Sequence, residues 1–531
     1  MRTNSKRCVL FAALPMAFIV GCDSEWHMND GYAFGRAEGN TGTDTDSGVA
    51  VGESARDQNP PSLVPLFDNG PWPSEEPSVI DEDYGVFVHH RGTDRGECGS
   101  RTVPCRTVSE GIRRAKSAGK RVYVCGTAGT YTERVTFRTS TDGLKVFGGF
   151  RCEDWTYHPE SIRSRVEPFA GHALVVDGLL EGLEVHDFEF ATIGRPNHQS
   201  PIAAWVRNSK GVVFRRTAFI GGPGAKGKNG VGGADGGTPS SSLMSHANAV
   251  GVVGGYLGGG SPCGSEEGSL GGNGGYGGIS GGGVGWPIAG VRPPVEGEAG
   301  ALGGVGSING ENGGNGSRGE TGAHSDPADV GAFGLGGFYR GCASTGAIGH
   351  PGQGGGGGGG GFWTEALDCS AGGGGAGGFG GCGGKGATGG IGGDASVGLL
   401  TWSSFVTLDS CELSSDSGGD GGDGGRGGTG SVGLNGGTGA EASGATPEFC
   451  GKGGRGGRGG DGGDGGSGSG GPGGPSHALV VNASAYGWLK LINTTLVWGP
   501  GGDGGLGGRS AHGDSAPDGP AGASSDILIV P

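Results

Sequence analysis

The chain has 531 residues, of which 136 are glycine and 27 proline, and carries a formal net charge of −16. Glycine at that level argues against a single conventional core, since strongly apolar residues are confined to short windows. The acidic balance leaves no basic footprint for a nucleic-acid partner.

At the N-terminus, Arg2, Lys6 and Arg7 precede a twelve-residue apolar run from Val9 to Val20 and then Gly21-Cys22. A positive flank, an apolar stretch too short to span a bilayer and a small residue before a thiol make the pattern of a bacterial lipoprotein signal. The expectation is a signal peptide at 1–21, lipidation at Cys22, and a membrane partner reached through acyl chains on the bacterial cell envelope, with the outer membrane as the expected location. Residues 22–84 read as the lipidated cysteine plus a linker. Asp23 to Tyr84 hold fourteen acidic and two basic residues in a Pro-, Ser-, Gly- and Asn-rich background, which predicts a disordered, self-repelling spacer.

Setting aside Cys8 and Cys22, ten cysteines remain, and an even count in an exported chain predicts disulfides. Candidate pairs are Cys98 with Cys105, closing a small loop, and Cys125 with Cys152, joining the ends of neighbouring strands. The chain has no Cys-x-x-Cys pair and no zinc-like histidine spacing, so neither a metal site nor a cofactor is expected.

From Gly85 the chain turns to short strands. Val86-Phe-Val, Arg121-Val-Tyr-Val, Arg134-Val-Thr-Phe and Lys145-Val-Phe-Gly-Gly-Phe come first. Between them Thr107-Val-Ser-Glu110 reads as a capping box that opens a helix with Val108, Ile112 and Ala115 on one face. Four windows then share one spacing: Leu183-x-Val185-x-x-Phe188-x-Phe190, Val212-x-Phe214-x-x-Thr217-x-Phe219, Val406-x-Leu408-x-x-Cys411-x-Leu413 and Leu489-x-Leu491-x-x-Thr494-x-Leu496. Each predicts two strands joined at a polar corner, and another apolar strand precedes each: Ala173-Leu-Val-Val, Ala203-Ala-Trp-Val, Gly398-Leu-Leu-Thr and Ala478-Leu-Val-Val. Units of three strands that bury a face only by stacking predict an all-β fold, a right-handed parallel β-helix, with the helix plugging its first end.

Val86-Phe-Val, Pro104-Cys-Arg-Thr-Val, Val122-Tyr-Val-Cys125-Gly, Gly129-Thr-Tyr-Thr-Glu and Gly148-Gly-Phe-Arg-Cys152 resemble the right-handed β-helix domains of exported lipoproteins from myxobacteria and their relatives. The likeness covers Val86 to Gly222. It implies a pectate-lyase-like fold and carries no catalytic residue with it.

The glycine tracts begin after Phe219, Leu413 and Leu496, so all would leave at one corner. Within them Gly-Gly-x has period three: Gly418 to Gly430 displays Asp420, Asp423, Arg426 and Thr429, and Gly451 to Gly466 displays Lys452, Arg455, Arg458, Asp461 and Asp464. A three-residue helical turn puts every x on one ridge and glycine on the other two, free to approach neighbouring runs in polyglycine-II fashion. The acidic ridge of one run and the basic start of the next could pair if antiparallel; plain disorder is the competing expectation. In composition these tracts are similar to the glycine-rich repeat proteins of mycobacteria. The boundaries are β-helix turns with a capping helix at 85–221, an insertion at 222–396, a turn at 397–413, an insertion at 414–476, a turn at 477–498, and a glycine-rich tail with a final strand at 499–531. Whether His246-Ala-Asn-Ala-Val-Gly-Val-Val adds a turn stays open.

Calcium is weakly suggested by Gly-Gly-Asp420-Gly-Gly-Asp423, which lacks the aliphatic residue of calcium-binding repeats. Charged ridges argue against an ice-binding face. The enzymatic candidate is a polysaccharide lyase or hydrolase. His186, Asp187, Arg215 and Arg216 fall at one corner of adjacent turns, where uronate chemistry would need acid and arginine together. An ion-pair ladder on a solvated corner is the expected reading of these residues, with Asp187, Arg215 and Arg216 as the catalytic candidates of the alternative. Trp155, Tyr157, Trp205 and Trp498 are candidate sugar-stacking rings. The expected role is structural, adhesive or glycan-binding, with polysaccharide or envelope proteins as partners and no catalysis.

Overall fold

The computed structural model describes residues 70–194, 199–258, 262–264, 268–285, 300, 308–362, 368–445 and 447–531. The signal at 1–21, Cys22 and the spacer as far as residue 69 lie outside the described residues.

Three parallel sheets form the apolar body. The first contains Gly85–Val88, Arg121–Cys125, Leu144–Phe150, Leu183–His186, Val212–Arg215, Val406–Asp409 and Leu489–Ile492. The second contains Ser164–Val166, Phe188–Ala191, Ala218–Gly221, Glu412–Ser415 and Thr495–Val497. Val135–Arg138, Leu174–Asp177, Ile202–Arg207, Ser396–Trp402, Ser476–Asn482 and Ser524–Val530 make the third. From Leu174 onward the chain visits third, first and second sheet in rotation, and each strand pairs in parallel with its counterpart one circuit earlier.

Register follows the repeated windows. Leu183, Val212, Val406 and Leu489 form one column, and Phe190, Phe219, Leu413 and Leu496 another. Alternation sends these residues inward, where Leu183, Val212, Phe190 and Phe219 are almost fully buried. Burying a side chain of this kind contributes roughly 1.5–3 kcal/mol, so the core rests on many repeats of one small step. The third window pairs directly with the second through Val212 and Val406. His246 to Val253 adds no level: Val250 and Val253 form a tight bridge, and Ala249 donates to Thr438.

The helix α1, Val108–Ala118, buries Val108, Ile112 and Ala115 against Val86, Val88, Val122 and Val124 at the first end of the stack. The cap differs from the expected box. Thr107 Oγ1 accepts from Glu110 N (3.1 Å), but the Glu110 carboxylate turns to Arg113 and Arg114. The first amides of the helix instead donate to Glu133, from Val108 N at 2.6 Å and Ser109 N at 3.0 Å. The carboxylate also suits the positive end of the helix dipole.

Residues 70–84, assigned to the spacer by their composition, are packed on the outer face of the first sheet. Trp72 and Ile80 join Phe87, Tyr123, Phe147 and Phe150, and Tyr123 donates to the Val79 carbonyl (2.6 Å). Acidic residues dominate this stretch on average, yet its few apolar ones cover aromatic rings that the strands turn outward.

All three glycine excursions leave after a second-sheet strand and return at a third-sheet strand. Their backbone is ordered by hydrogen bonds between runs. Gly224, Gly227, Gly230, Gly233 and Gly236 donate to Ser417, Asp420, Asp423, Arg426 and Thr429 at 2.7–2.8 Å. Gly459, Gly462, Gly465, Gly468 and Gly471 donate to Leu434, Ser431, Gly428, Gly425 and Gly422, which makes that pair of runs antiparallel. The step of three matches a three-residue helical turn. A Cβ built at Gly424 or Gly465 would overlap a neighbouring carbonyl oxygen, which is why two positions in three are glycine. The expected charge pairing is not formed, because the antiparallel register sets Asp423 near Gly468 and Gly471 rather than opposite Lys452. Arg458 pairs with Asp461 of its own run (2.6 Å), and the buried Asp464 takes Arg318 (3.2 Å) and His512.

Candidate functional site

The corner between first and second sheets is a column of left-handed residues: Asp187 (φ 61°), Arg216 (φ 47°), Ser410 (φ 55°) and Asn493 (φ 46°). One residue makes the turn at each level. Such a backbone is costly for any residue but glycine, least so for Asn and Asp, and persists where its surroundings hold it. At the level before Asp187, Gly149 is left-handed (φ 78°) within the strand Leu144–Phe150, and a Cβ on Gly148 would overlap the Asp187 carbonyl oxygen. This close approach accounts for the Gly148-Gly149 pair.

Asp187 is fully buried, contrary to the solvated corner expected. Arg216 grips it in a fork, Nε to Oδ1 at 2.7 Å and a terminal nitrogen to Oδ2 at 3.0 Å, and Tyr157 donates its hydroxyl to Oδ2. Arg216 also reaches the Tyr157 oxygen (3.2 Å). Burial works against the charge on Arg216, but the hydrogen bonds and charge of Asp187 outweigh it and raise its pKa. Tyr157 is likewise raised, by burial and then by the Asp187 charge. The three groups form a closed clasp between circuits.

Beside it runs an outward column on the first sheet, Phe147, His186, Arg215 and Asp409 in successive register. Arg215 donates to Asp409 (2.7 Å) and lies over the Trp72 ring at 4.4 Å. His186 is buried between Trp72 and Phe147, and burial lowers its pKa. Its Nε2 meets Glu184 at 3.4 Å, and Glu184 also faces Lys145 at 4.0 Å.

The structure therefore brings Asp187 and Arg216 together and sends Arg215 to a different carboxylate. An arginine fixed by a bidentate carboxylate is a poor proton acceptor, and a lyase base has to release its proton and meet substrate. The arrangement suits joining levels of the stack better than proton transfer.

The disulfide Cys98–Cys105 closes the small loop, and Cys125–Cys152 joins the strand ends; Cys263–Cys382 and Cys369–Cys450 tie the glycine region. Full pairing of the ten cysteines does not hold, because Cys411 is a buried free thiol. It occupies the column of Thr217 and Thr494. The thiol lies 3.5 Å from the Asp409 carbonyl and 3.3 Å from that of Phe214, as the Thr217 and Thr494 hydroxyls lie about their own equivalents. His89, Cys125 and Cys152 have metal-ligand spacing, but the two cysteines are bonded to each other. Asp420 and Asp423 accept from the Asp503 and Leu506 amides, both at 3.0 Å, and so serve neighbouring runs instead of converging as calcium ligands do.

That use of side chains is the feature sequence reasoning missed. Asn309, Asn312 and Asn315 accept from the amides of Lys452, Arg455 and Arg458 at 3.1, 2.8 and 2.8 Å. Asn229, Asp235 and Asn248 do the same for Asp423, Thr429 and Thr438. Some x amides donate to backbone carbonyls of a neighbouring run, as Lys385 and Thr388 do to Ala234 and Val231, and at these other positions an Asn or Asp from the next run supplies the acceptor. The signal was available as Asn at every third position from Asn309 to Asn315.

Of the candidate rings, Trp155 is buried, Tyr157 belongs to the clasp, and Trp205 lies beneath Arg207 at 4.5 Å. Trp498 remains half-exposed on the last circuit, as do Tyr486 and Trp488. No helix among the described residues is long and apolar enough to cross a membrane. Compared with family models, curated proteins and solved structures, the chain finds no match.

Proposed function

We propose that this chain is an exported lipoprotein of the bacterial envelope, anchored at Cys22, that serves as a structural, adhesive or glycan-binding surface. Its body is then a right-handed parallel β-helix carrying a polyglycine-II bundle. Rotation through three sheets, with parallel pairing to the previous circuit, supports the first part. Three-residue hydrogen-bond spacing between glycine runs supports the second.

One observation carries the functional reading. The bundle uses its backbone amides and its Asn and Asp side chains on itself, while the corner charges of the sheets are consumed in fixed pairs. Such an architecture supplies shape and surface in place of a reactive centre. The half-exposed Tyr486, Trp488 and Trp498 add rings suited to stacking on sugars.

Two measurements on the full chain test this. Fatty-acid label incorporated in a bacterial host should vanish in Cys22→Ala. The purified protein should be retained on at least one acidic or neutral envelope polysaccharide, or on intact cell surfaces, without releasing oligosaccharide. Release of unsaturated oligosaccharides would replace the surface role with a lyase.

A further inference from the structure

Asn-Gly occurs in the glycine region at Asn229, Asn273, Asn309, Asn312, Asn315 and Asn435, all among the described residues; a further pair begins at Asn69, outside them. In this dipeptide a side-chain amide is readily lost, because the following nitrogen can attack the asparagine Cγ and glycine has no side chain to obstruct the approach. The attack requires that nitrogen to be without a hydrogen-bond partner and the backbone to leave the extended three-residue turn.

Five of the six pairs are held twice. The amides of Gly230, Gly274, Gly310, Gly313 and Gly316 each donate to a carbonyl of another segment at 2.7–2.8 Å. The side-chain oxygens of the five asparagines before them accept from the amides of Asp423, Leu257, Lys452, Arg455 and Arg458 at 2.8–3.3 Å. Attack at any of these five has to break both bonds first. Asn435 differs. It is exposed, and neither it nor Gly436 makes a hydrogen bond among the described residues. On either side the run is fixed: the Leu434 and Gly437 amides donate to Phe379 and Ala376 (2.8 and 2.7 Å), and their carbonyls accept from Gly459 and Gly456 (both 2.9 Å). Asn435-Gly436 is thus a two-residue gap in a bonded run, where local opening costs no hydrogen bond of its own.

We infer that Asn435-Gly436 is the site at which the folded protein deamidates, with water as the only co-reactant. The Gly436 nitrogen gives up its proton and bonds to Asn435 Cγ, the bond from Cγ to the side-chain nitrogen breaks, and ammonia leaves. Water then opens the five-membered imide, giving isoaspartate by attack at the main-chain carbonyl or aspartate by attack at Cγ. Either product adds a negative charge. Isoaspartate also adds a methylene to the main chain between Leu434 and Gly437, whose carbonyls are spaced to meet Gly459 and Gly456. The step of three on one run then no longer matches the other, so this modification loosens the two runs.

The test is peptide mapping by mass spectrometry of the full chain after incubation at mildly alkaline pH, folded and in urea. In the folded chain Asn435 should convert about ten-fold faster than each of the other five, and in urea the six rates should converge to within about three-fold, since the difference lies in local opening of the fold. Hydrogen exchange reads the consequence: the Gly456 and Gly459 amides should lose protection in the aged parent and keep it in Asn435→Gln aged alongside. That variant changes an exposed position, which folding tolerates. Equal conversion of the six pairs in the folded chain overturns the assignment. So does an excess at Asn435 that persists in urea, which would trace it to sequence alone. Unchanged exchange in the aged parent, or equal loss of protection in Asn435→Gln, overturns the loosening.

Discussion

Arg216 and Asp187 stand on successive levels of one corner, both left-handed, with the guanidinium of the later circuit closed on the buried carboxylate of the earlier one. The bond joins circuits sideways to the strand ladder, so the level of Val212 is fixed on that of Leu183 by side chains as well as by sheet pairing.

Removing one member of a buried pair leaves the other uncompensated, at a cost of about 3–5 kcal/mol. Asp187→Ala should therefore lower the urea midpoint strongly, and Asp187→Asn somewhat less, since the amide still meets Tyr157. Arg215→Ala, whose partner Asp409 is partly exposed, should cost about 1 kcal/mol or less. Equal losses for Asp187→Ala and Arg215→Ala would show that the two pairs do the same work.

Cys411 is expected to behave as a third member of the threonine column. Burial raises its pKa to about 11, so at neutral pH it is a protonated thiol enclosed in the core. Peptide mapping should find it alkylated only after denaturation. Cys411→Thr should stay within about 1.5 kcal/mol of the parent, as a near-isosteric swap that retains the donor. Alkylation in the native state would mean that the column opens.

The stacked body is legible in the sequence because inward residues must alternate and every circuit meets the same corner, so the windows from Leu183 to Leu496 repeat one spacing. The identity of the corner residue was less accessible: every level turns left-handed there, and what makes arginine suit the level of Arg216 is its hold on Asp187, a contact between circuits. Glycine runs pose a different difficulty. Gly-Gly-x looks the same after a shift of three, so its register comes from side-chain anchors at the ends of the runs, such as the buried Asp394 held by Arg340 at 2.6 and 2.8 Å. The Asn309 ladder likewise acquires meaning only once Lys452 to Arg458 is known to run alongside. Composition misjudged residues 70–84 because averaging over many acids hides Trp72 and Ile80.

Glycine at the packing positions of the bundle should be intolerant, and x positions tolerant. At Gly424 a Cβ would meet the Gly468 carbonyl, so Gly424→Ala is expected to destabilise by about 1–3 kcal/mol as an overpacked site. Arg455→Ala, on an exposed ridge, should change stability by less than about 0.5 kcal/mol. Hydrogen exchange adds a readout local to the bundle: the Gly465 and Gly468 amides should be protected in the parent and lose protection in Gly424→Ala. Rapid exchange in the parent would return these tracts to disorder.

Two histidines on the third sheet's outer side set an acid limit. Burial lowers His172 and His477 to about 4, and each has a defined partner, the Ile202 carbonyl at 3.0 Å and Ser525 Oγ at 2.9 Å. The unfolded chain takes up these protons near pH 6.5 while the folded chain resists until about 4, so stability present above 6.5 is lost as pH falls through that window. A depression of that size corresponds to roughly 3 kcal/mol per histidine once both states are protonated. Urea midpoints at pH 7 and 4.5 should therefore separate clearly in the parent. His172→Asn, which keeps a donor near the Nδ1 position, should narrow the gap. A gap unchanged in both His172→Asn and His477→Asn would assign the acid limb to the carboxylates, Glu110 among them, whose pKa its arginine partners hold down at about 2.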